Sequence, residues 1–287
     1  MDCLSLRATR RVLRSANSVR KSPWGQLRGL LRNILIRGRG RFAPPVSRRR
    51  GAGQVVVPIP GMEPITLKSY YAAFESYYKT CEPDTKRWMT RSIQPEFVCL
   101  DAGANVGYFS ILMARMASRG LVYSFEPTET IQMLKNNLVE AGIDNALVFS
   151  HALGRQTGEF YEPLFRIWGR RAEHRKYSFL AIDDFVLQQK IERLDVLKID
   201  VDGFDVEVLE GARKTLANLR PRCVIELNHA LATRQASVGD ALVIMRDAGY
   251  HSVHILDSEN YLFLTKAQEK ERKVEGASLR MILDRPI

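Results

Sequence analysis

A short glycine-bearing segment, Asp101 to Gly107, has the composition and position of a ligand-binding loop. It reads Asp-Ala-Gly-Ala-Asn-Val-Gly, follows an apolar run typical of a β-strand and precedes a helical pattern. Glycines let the backbone approach a ligand closely, and N–H groups at the start of a helix favour negative charge. The spacing matches neither G-x-G-x-x-G nor a Walker A loop. The segment therefore disfavours a dinucleotide or a nucleoside triphosphate as its ligand.

Acidic residues at two predicted strand ends indicate which groups this ligand carries. Asp101 is placed to bind an ammonium group, while the loop N–H groups suit a carboxylate. Glu126, nineteen residues after Gly107, is placed to accept the hydroxyls of a ribose. An amino acid and a nucleoside in one crevice indicate S-adenosylmethionine. The predicted cofactor-binding residues of these segments are Asp101, Gly103, Asn105, Gly107, Glu126 and Pro127.

A second acidic segment follows the predicted strand Leu194–Ile199. The dipole of the next helix explains the acidic residues in its first turn, but it explains Asp200 poorly. A hydroxyl oxygen is a poor nucleophile while it is protonated, so a nearby base assists any reaction in which it attacks. His229 lies just past the next strand, and imidazole titrates near neutrality. The predicted catalytic residues are His229, Asp202 and Asp200.

The same acidic residues permit a second interpretation, a magnesium site. Asp200 and Asp202 follow one predicted strand, and Glu226 and Asn228 end the next. Carboxylate and amide oxygens are ligands that Mg²⁺ accepts. Carboxylates also cluster at sheet edges without any metal, so the metal requirement stays open at this point.

Alternating strand-like and helical segments must position these residues. Strands are predicted at residues 97–100, 121–125, 146–150, 194–199, 223–227, 251–256 and 261–265. Such an alternation forms a mostly parallel sheet with helices on both faces. Only four residues separate the last two strands, which is a hairpin length. We predict an α/β fold with a mostly parallel, seven-stranded sheet and one antiparallel strand from the C-terminal hairpin.

Segments outside this alternation complete the predicted organisation. Helices are expected over Pro64–Thr80 and Pro83–Arg91, and a single helix over Val206–Leu219. The stretch Glu159–Ser178 carries aromatic residues and arginines, and it either borders the acceptor pocket or is a solvated excursion. The predicted divisions are an extension (1–55), a helical lead-in (56–92), the main domain (93–268) and a tail (269–287).

The charge distribution argues against a nucleic-acid partner. The chain has 287 residues and a formal net charge of +11. Residues 1–53 hold 14 Lys and Arg against one acidic residue, Asp2, so the rest of the chain has a net charge of −2. A folded domain that follows phosphates carries its basic surface on itself. Cys99 and Cys223 lie in apolar runs and no C-x-x-C pair occurs, which favours a reducing, cytoplasmic location.

The basic extension contains one amphipathic pattern, at residues 24–37, where apolar residues recur at helical spacing between arginines. Three interpretations remain open. The segment could rest on an anionic membrane surface, or it could resemble an organellar transit peptide. Alternatively, it is a poorly ordered extension and Met62 is the true start. No run of about 18 apolar residues occurs, so we expect no membrane-spanning helix.

Taken together, the motifs resemble those of the FkbM family of class I, S-adenosylmethionine-dependent methyltransferases. The segments that carry this resemblance are Glu82–Thr85, Asp101–Gly107, Phe125–Pro127, Ala152–Gly154, Ile182–Phe185 and Lys198–Ala212. They occur in the family's order over roughly residues 80–230. One departure is visible, because Asp202 stands where the family usually has Glu.

The resemblance implies a Rossmann-like three-layer sandwich and adds Ala152 to the cofactor-binding residues. It also implies O-methylation of a hydroxyl on a sugar, glycolipid or polyketide-like metabolite. The turn Asp200–Gly203 lacks the Asn/Asp-Pro-Pro-aromatic pattern of methyltransferases that act on base amines, and the glycine spacing disfavours an NAD-linked oxidoreductase. The alternative is a non-catalytic Rossmann-like binding protein that the basic tail anchors to a membrane or nucleic acid. The oligomeric state stays unknown.

Overall fold

The computed structural model describes residues 53–59, 61–69, 74–164, 172–271 and 279–283. The amphipathic pattern at residues 24–37 and the rest of the basic extension lie outside these ranges. The thirteen described strands are β1 Gly53–Ile59, β2 Met62–Ser69, β3 Val98–Ala102, β4 Leu121–Phe125, β5 Ala146–Phe149, β6 Ala152–Leu153, β7 Gly158–Leu164, β8 Glu173–Leu180, β9 Val196–Ile199, β10 Arg222–Glu226, β11 Ser252–Ile255, β12 Asn260–Leu264 and β13 Leu279–Ile282.

The described helices alternate with the central strands. They are α1 Phe74–Thr80, α2 Pro83–Ser92, α3 Tyr108–Met116, α4 Thr130–Glu140, α5 Ile182–Gln188, α6 Asp205–Glu210, α7 Arg213–Asn218, a 3₁₀ helix His229–Arg234, α8 Val238–Asp247 and α9 Lys266–Glu271. The single helix expected over Val206–Leu219 is wrong, because it divides at Gly211. A Cβ at Gly211 would lie 2.1 Å from the carbonyl oxygen of Gly154, so the chain packs there without a side chain. In the part of the chain that is described, no helix has the length and apolar character that a bilayer span requires.

The helical lead-in predicted from Pro64 is also wrong in its first part. β1 and β2 form an antiparallel hairpin whose turn contains Gly61 at a positive φ of 76°. Apolar residues alternate along both strands with a period of two, which suits a half-buried strand and not a helix. The buried face consists of Val55, Val57, Ile59, Ile65 and Leu67. This face joins the apolar core formed by α2, α3 and α4.

The central sheet has the order β13-β11-β12-β10-β9-β3-β4-β5. The prediction of an α/β fold with a mostly parallel sheet is confirmed, but the strand count is wrong. Eight described strands pair, and two of them run against the others, β12 from the expected hairpin and β13 from the segment predicted as a tail. The five strands β5, β4, β3, β9 and β10 are mutually parallel. Their arrangement is that of doubly wound nucleotide-binding folds.

A small second sheet forms where the alternation was interrupted. It has the order β6-β8-β7, with β7 and β8 antiparallel over Gly158–Leu164 and Glu173–Leu180. Phe160, Tyr177, Phe179 and Phe204 belong to a separate apolar cluster beneath it. Residues 165–171 of the connection lie outside the described ranges. The described parts of the stretch Glu159–Ser178 therefore form a β-hairpin, and whether this hairpin borders the acceptor pocket stays a prediction.

Candidate functional site

The parallel strands β3 and β9 lie side by side in the middle of the sheet. Between them, the direction in which successive strands are added to the sheet reverses. From β3 the chain continues to β4 on one side, and from β9 it continues to β10 on the other. In open α/β sheets, ligands bind outside the carboxyl ends of the strands at such a reversal. We call the strand ends on the two sides the β3–β4 edge and the β9–β10 edge.

Gly103 lies where the two edges meet. A Cβ on this residue would be 1.9 Å from the carbonyl oxygen of Asp200, and the backbone has a positive φ of 85°. The loop leaves Gly103 through Asn105, also at positive φ (48°), and enters α3 at Gly107 (96°). Only glycine fits position 103, because both space and backbone conformation exclude a side chain. The loop and the end of β9 are therefore in direct backbone contact.

The N–H groups of the loop are largely used inside the protein. Gly103 and Ala104 both donate to the carbonyl of Phe125, at 3.1 and 2.9 Å. Asn105 donates to Glu126 Oε2 at 3.0 Å, and Gly107 donates to Ala104. These four amides are therefore not available to a ligand carboxylate, contrary to the expectation from sequence. The first-turn amides of α3, which have no acceptor within the helix, remain as donors.

Glu126 is buried and oriented by three donors. Oε2 accepts from the amide of Asn105, and Oε1 accepts from the amide (3.0 Å) and the hydroxyl (2.5 Å) of Thr128. Burial raises the pKa of Glu126, while these hydrogen bonds act to lower it. A carboxylate offers about four acceptor positions, so about one is left for a ligand hydroxyl. The structure thus supports a single additional bond where sequence reasoning expected two.

Asp101 lies beneath the loop and has no exposed surface. Ser124 donates to Ser110 Oγ at 2.9 Å, and Ser110 donates to Asp101 Oδ2 at 2.6 Å. Oδ1 is buried and has no hydrogen-bond partner among the described residues. Burial raises the pKa of Asp101, and Lys198 and Ser110 oppose that shift. The side chain is thus covered by the loop, and its contact with a ligand ammonium group stays a prediction.

Lys198 connects the two edges. Its side chain is 1% exposed, its Nζ lies 2.8 Å from Asp200 Oδ2, and it lies 4.6 Å from the centre of the Phe109 ring. Burial acts to lower its pKa, but Asp200, Asp101 and Glu82 together raise the pKa above its ordinary value. Lys198 is therefore a permanent buried cation among carboxylates.

The β9–β10 edge holds carboxylates with few donors. Asp202 has a positive φ of 51°, and burial, Asp200 and Asp205 raise its pKa to about 7. Asp205 accepts from the amides of Val201 (3.1 Å) and Gly203 (3.0 Å) and so fixes the turn, and burial raises its pKa to about 7 as well. Sequence reasoning assigned Asp205 to the helix dipole alone. Its buried position inside the turn depends on tertiary packing that the sequence does not show.

The end of β10 has a different arrangement. Asn228 donates to Glu226 Oε2 at 2.9 Å and accepts from the amide of Ala230, so it caps the 3₁₀ helix. His229 is exposed and lies within electrostatic range of Glu259. Among the described residues, no group of three or more His, Cys, Asp or Glu is arranged to hold a metal ion. The magnesium interpretation of this edge therefore gains no support.

The sequence of this chain matches the model of a known protein family. The Methyltransferase FkbM domain matches residues 101–252, just over half of the chain, and this range contains both edges. The chain belongs to the FkbM methyltransferase family. The resemblance stated from the motifs is thereby confirmed.

Individual relatives of this FkbM methyltransferase are distant. Methyltransferase sdnD of Sordaria araneosa is 25% identical over 167 residues, which cover 44% of this chain and 64% of that relative, so the match spans less than two thirds of the relative. The crystal structure of Methyltransferase FkbM from Methylobacillus flagellatus is 18% identical, with a TM-score of 0.44, over 66% of this chain and 52% of that one. The O-methyltransferase of Bacillus cereus, in complex with SAH, is 17% identical with a TM-score of 0.40, over 63% and 80%.

S-adenosylmethionine is the cofactor of this FkbM methyltransferase, as predicted. The residues present fit it. Asp101 Oδ1 is buried and has no hydrogen-bond partner among the described residues, and Glu126 keeps an acceptor position for a ribose hydroxyl. Carboxylates outnumber cations around both edges, which suits a ligand that carries a positive sulfur and an ammonium group.

Two of the predicted cofactor-binding residues, Pro127 and Ala152, lie outside the loop Asp101–Gly107. Pro127 is half-buried behind Glu126. Ala152 lies in β6 and pairs with Phe179 of β8. Its neighbour His151 lines an open cavity of about 350 Å³ between β5, α5 and the small sheet. The described contacts do not bring Ala152 to the Asp101 loop, so its role stays a prediction.

The sequence did not assign roles to two residues that the structure brings to the β9–β10 edge. Lys198 lies inside the predicted strand Leu194–Ile199, and nothing in its position there indicates a buried cation. Glu82 belonged to the family resemblance without a stated function. Its backbone has a positive φ of 47°, and no local sequence signal announces this conformation for a glutamate.

Proposed function

We propose that this FkbM methyltransferase transfers a methyl group to a hydroxyl of a sugar, a glycolipid or a polyketide-like metabolite. The observation that carries the proposal is the group of carboxylates at the β9–β10 edge, which can accept a hydroxyl proton. A planar amine needs a different environment, and the turn at Asp200–Gly203 contains no proline or aromatic residue to hold one.

When bound, S-adenosylmethionine supplies a methyl group activated by a positive sulfur. The residues of the chain then have three tasks. Glu126 and the loop around Gly103 orient the cofactor, and the buried Lys198 holds Asp200 in place. Alignment of the reacting atoms alone can contribute roughly 7–11 kcal/mol. The third task, removal of the acceptor proton, belongs to the β9–β10 edge and can add about 10²–10⁴-fold.

The three catalytic candidates from the sequence now differ in environment. Asp200 is bound to Lys198, so its negative charge is already stabilised. Asp202 has a pKa raised to about 7 by burial and by Asp200, which suits proton transfer. His229 is exposed next to Glu259. If His229 assists the reaction, His229→Ala lowers turnover and leaves cofactor affinity unchanged; unchanged turnover removes it from the mechanism.

The location and partners of the protein are further proposals. Among the described residues, Cys81, Cys99 and Cys223 are free thiols, which supports a reducing compartment. We infer a cytoplasmic enzyme whose residues 24–37 contact a membrane peripherally, with no nucleic-acid partner. Full activity of a chain that lacks residues 1–52 on a water-soluble acceptor, together with loss of vesicle binding, is the expected result. No observation on the described residues favours a non-catalytic binding protein.

Calorimetric titration and methyl transfer test the proposed function in sequence. The purified chain is titrated with S-adenosylmethionine, S-adenosylhomocysteine (SAH) and NADH, and we expect micromolar binding of the first two only. Transfer of a labelled methyl group is then measured to a panel of methyl glycosides and phenols, each paired with its amine analogue. Labelling of hydroxyl compounds supports the proposal. Labelling of the amine analogues alone contradicts it.

A further inference from the structure

Glu82 precedes α2 in a strained backbone conformation. Its φ and ψ are 47° and 50°, in the left-handed region that glutamate rarely adopts. Distant contacts hold this conformation. The carboxylate of Asp257, in the β11–β12 turn, accepts from the amides of Asp84 (3.1 Å) and Thr85 (3.0 Å) and from the Thr85 hydroxyl (2.7 Å). Such strain persists only where the surroundings enforce it, and it concentrates at functional positions.

The side chain of Glu82 ends in a buried atom without a partner. Its Oε2 is shielded from solvent and makes no hydrogen bond with any described residue. The two nearby lysines already have other acceptors, since Lys198 binds Asp200 and Lys86 donates to the carbonyl of Tyr78 at 2.5 Å. Buried polar atoms are normally paired, so an unpaired carboxylate oxygen needs an explanation.

The surroundings of Glu82 locate it at the β9–β10 edge. The titratable and charged groups within electrostatic range of Glu82 come from several elements. They are Lys198 and Asp200 at the end of β9, Glu226 at the end of β10, Asp257 in the β11–β12 turn, Lys86 of α2, Cys81 beside α2, Tyr77 and Tyr78 of α1, and Tyr108 of α3. The side chain therefore lies on the side of the reversal opposite to Glu126, where the acceptor must bind if the cofactor occupies the loop.

We propose that Glu82 is a catalytic residue that takes the proton from the acceptor hydroxyl. This inference rests on the proposed O-methyl transfer. The acceptor oxygen loses its proton to Glu82 Oε2 and forms a bond to the methyl carbon. The carbon–sulfur bond breaks, and sulfur keeps the electron pair. Charge balances, because the positive charge of the sulfur is lost as the negative carboxylate becomes neutral.

Two of the alternatives at the same edge, Asp200 and His229, are less suited to this step, and Asp202 differs from Glu82 in that only Glu82 has a buried carboxylate oxygen without a partner among the described residues. Asp200 holds Lys198, and protonating it would break a buried ion pair. His229 is exposed, so bulk water competes for its ring. Burial raises the pKa of Glu82 to about 7, with Lys198 opposing this shift and Asp200 adding to it. A base that titrates near neutral pH combines a sufficient ionised fraction with useful basicity.

Substitutions that preserve shape provide the first test. The full chain is compared with Glu82→Gln, Glu82→Asp and the control Glu192→Gln, an exposed glutamate outside both edges. The probes are the methyl glycosides and phenols of the hydroxyl panel. We expect Glu82→Gln to lower kcat by at least about 10²-fold, to leave SAH affinity within about twofold, and to remove the rise of kcat through pH 7. Glu82→Asp should recover part of kcat, and the control should match the wild type.

The outcomes separate this inference from the function on which it rests. If the wild type methylates a hydroxyl and Glu82→Gln keeps kcat within threefold with the same pH profile, the role of Glu82 is wrong and O-methyl transfer stands. If the wild type methylates only amine analogues, both are wrong. Equal losses of SAH affinity and kcat in Glu82→Gln indicate a structural role and also overturn the inference.

Infrared titration provides a readout that needs no acceptor. Spectra of the SAH complex are recorded between pH 5 and 9 for the wild type, Glu82→Gln and Glu192→Gln. Asp202 and Asp205 also contribute protonated-carboxyl bands that titrate near pH 7, so the test is the difference between variants. A component of that band with a midpoint near pH 7 that is lost in Glu82→Gln and kept in Glu192→Gln supports the proposal. Identical spectra of all three proteins, or a Glu82 band that titrates at the ordinary glutamate pKa, overturn it.

Discussion

Both strand edges of this FkbM methyltransferase bear buried acidic groups, but the hydrogen-bond donors around those groups differ. At the β3–β4 edge, Glu126 receives three hydrogen bonds and Asp101 receives one from a serine relay. At the β9–β10 edge, other carboxylates add to the raised pKa of Asp202 and of Glu82, and Glu82 Oε2 accepts no hydrogen bond from the described residues. Burial raises the pKa of carboxylates at both edges, but hydrogen bonds oppose that rise and orient the side chain at the β3–β4 edge, whereas Asp202 and Glu82 reach a pKa of about 7, which suits a proton acceptor. The difference suggests that one edge binds and the other reacts.

Lys198 is the group on which both edges depend, and its removal should have the largest effect. The cation is fully buried between Asp101 and Asp200, so Lys198→Met leaves uncompensated carboxylates in the interior. Breaking a buried ion pair from one side costs about 3–5 kcal/mol. We expect a loss of that size in the free energy of unfolding, measured by urea denaturation at pH 7.

Two comparisons make this prediction specific. Lys214→Met, at an exposed position on α7, should change the free energy of unfolding by less than about 0.5 kcal/mol. The loss in Lys198→Met should also shrink as the pH falls to 5, because its carboxylate neighbours then become protonated. A pH-independent loss would mean that Lys198 contributes through packing and not through charge.

Glu126→Gln tests the binding edge directly. The amide side chain keeps the shape of glutamate but loses the charge that accepts from Asn105 and Thr128, and hydrogen bonds to charged groups contribute about 1.5–3 kcal/mol. SAH affinity should fall about 10- to 100-fold in calorimetric titration. The exposed Glu192 provides the control, Glu192→Gln, which should bind as the wild type does. Equal affinity of Glu126→Gln and the wild type would show that this carboxylate does not contact the cofactor.

Gly103→Ala tests whether the contact between the edges requires a bare backbone. The new Cβ would be placed 1.9 Å from the carbonyl oxygen of Asp200. Gly142→Ala is a matched control, because Gly142 also has a positive φ (66°) but no atom lies within 4 Å of its added Cβ. The strain of positive φ is therefore common to both variants. We expect Gly103→Ala to be less stable than Gly142→Ala by about 1–3 kcal/mol, the cost of overpacking. Equal thermal stability would mean that the loop moves away freely.

Local patterns were sufficient to predict the central part of the fold. Alternating apolar runs placed β3, β4, β5, β9 and β10 nearly at their observed bounds, because short buried strands between helices have a clear pattern. The β1–β2 hairpin and β13 were missed for different reasons. Aromatic residues after Pro64 suggested a helix, although Ile65 and Leu67 alternate with polar neighbours. β13 follows a polar, charged stretch of sequence that gives no strand pattern. Its strand conformation is identified only by its pairing with β11.

The candidate site was predictable only in part. Spacing along the chain indicates where strands end, but it does not indicate which hydrogen-bond donors reach the acidic side chains there. Asp101, Glu126 and Asp200 were placed at the correct edge from their positions after strands. The covering of Asp101 by its own loop depends on tertiary packing. The approach of Glu82 to the β9–β10 edge depends on packing between residues more than 100 positions apart, such as Thr85 and Asp257. Asp257, which fixes the backbone after Glu82, has no signature in the sequence near either residue.

Asp202→Asn should have the smallest effect and the most specific pH dependence. The folded-state pKa of Asp202 is about 7, above the 3.8 of an unexceptional aspartate, so the native state binds more protons than the unfolded state between about pH 4 and 7. Stability attributable to this group therefore falls as the pH rises through that window. Asparagine tolerates the positive φ of 51° and carries no charge. Relative to the wild type, the variant should gain about 1–2 kcal/mol between pH 5 and pH 8 in urea unfolding, while Asp144→Asn, at an exposed position, should gain nothing. A gain that does not vary with pH would show that Asp202 is not desolvated, and the contrast between the two edges would then depend on Glu82 alone.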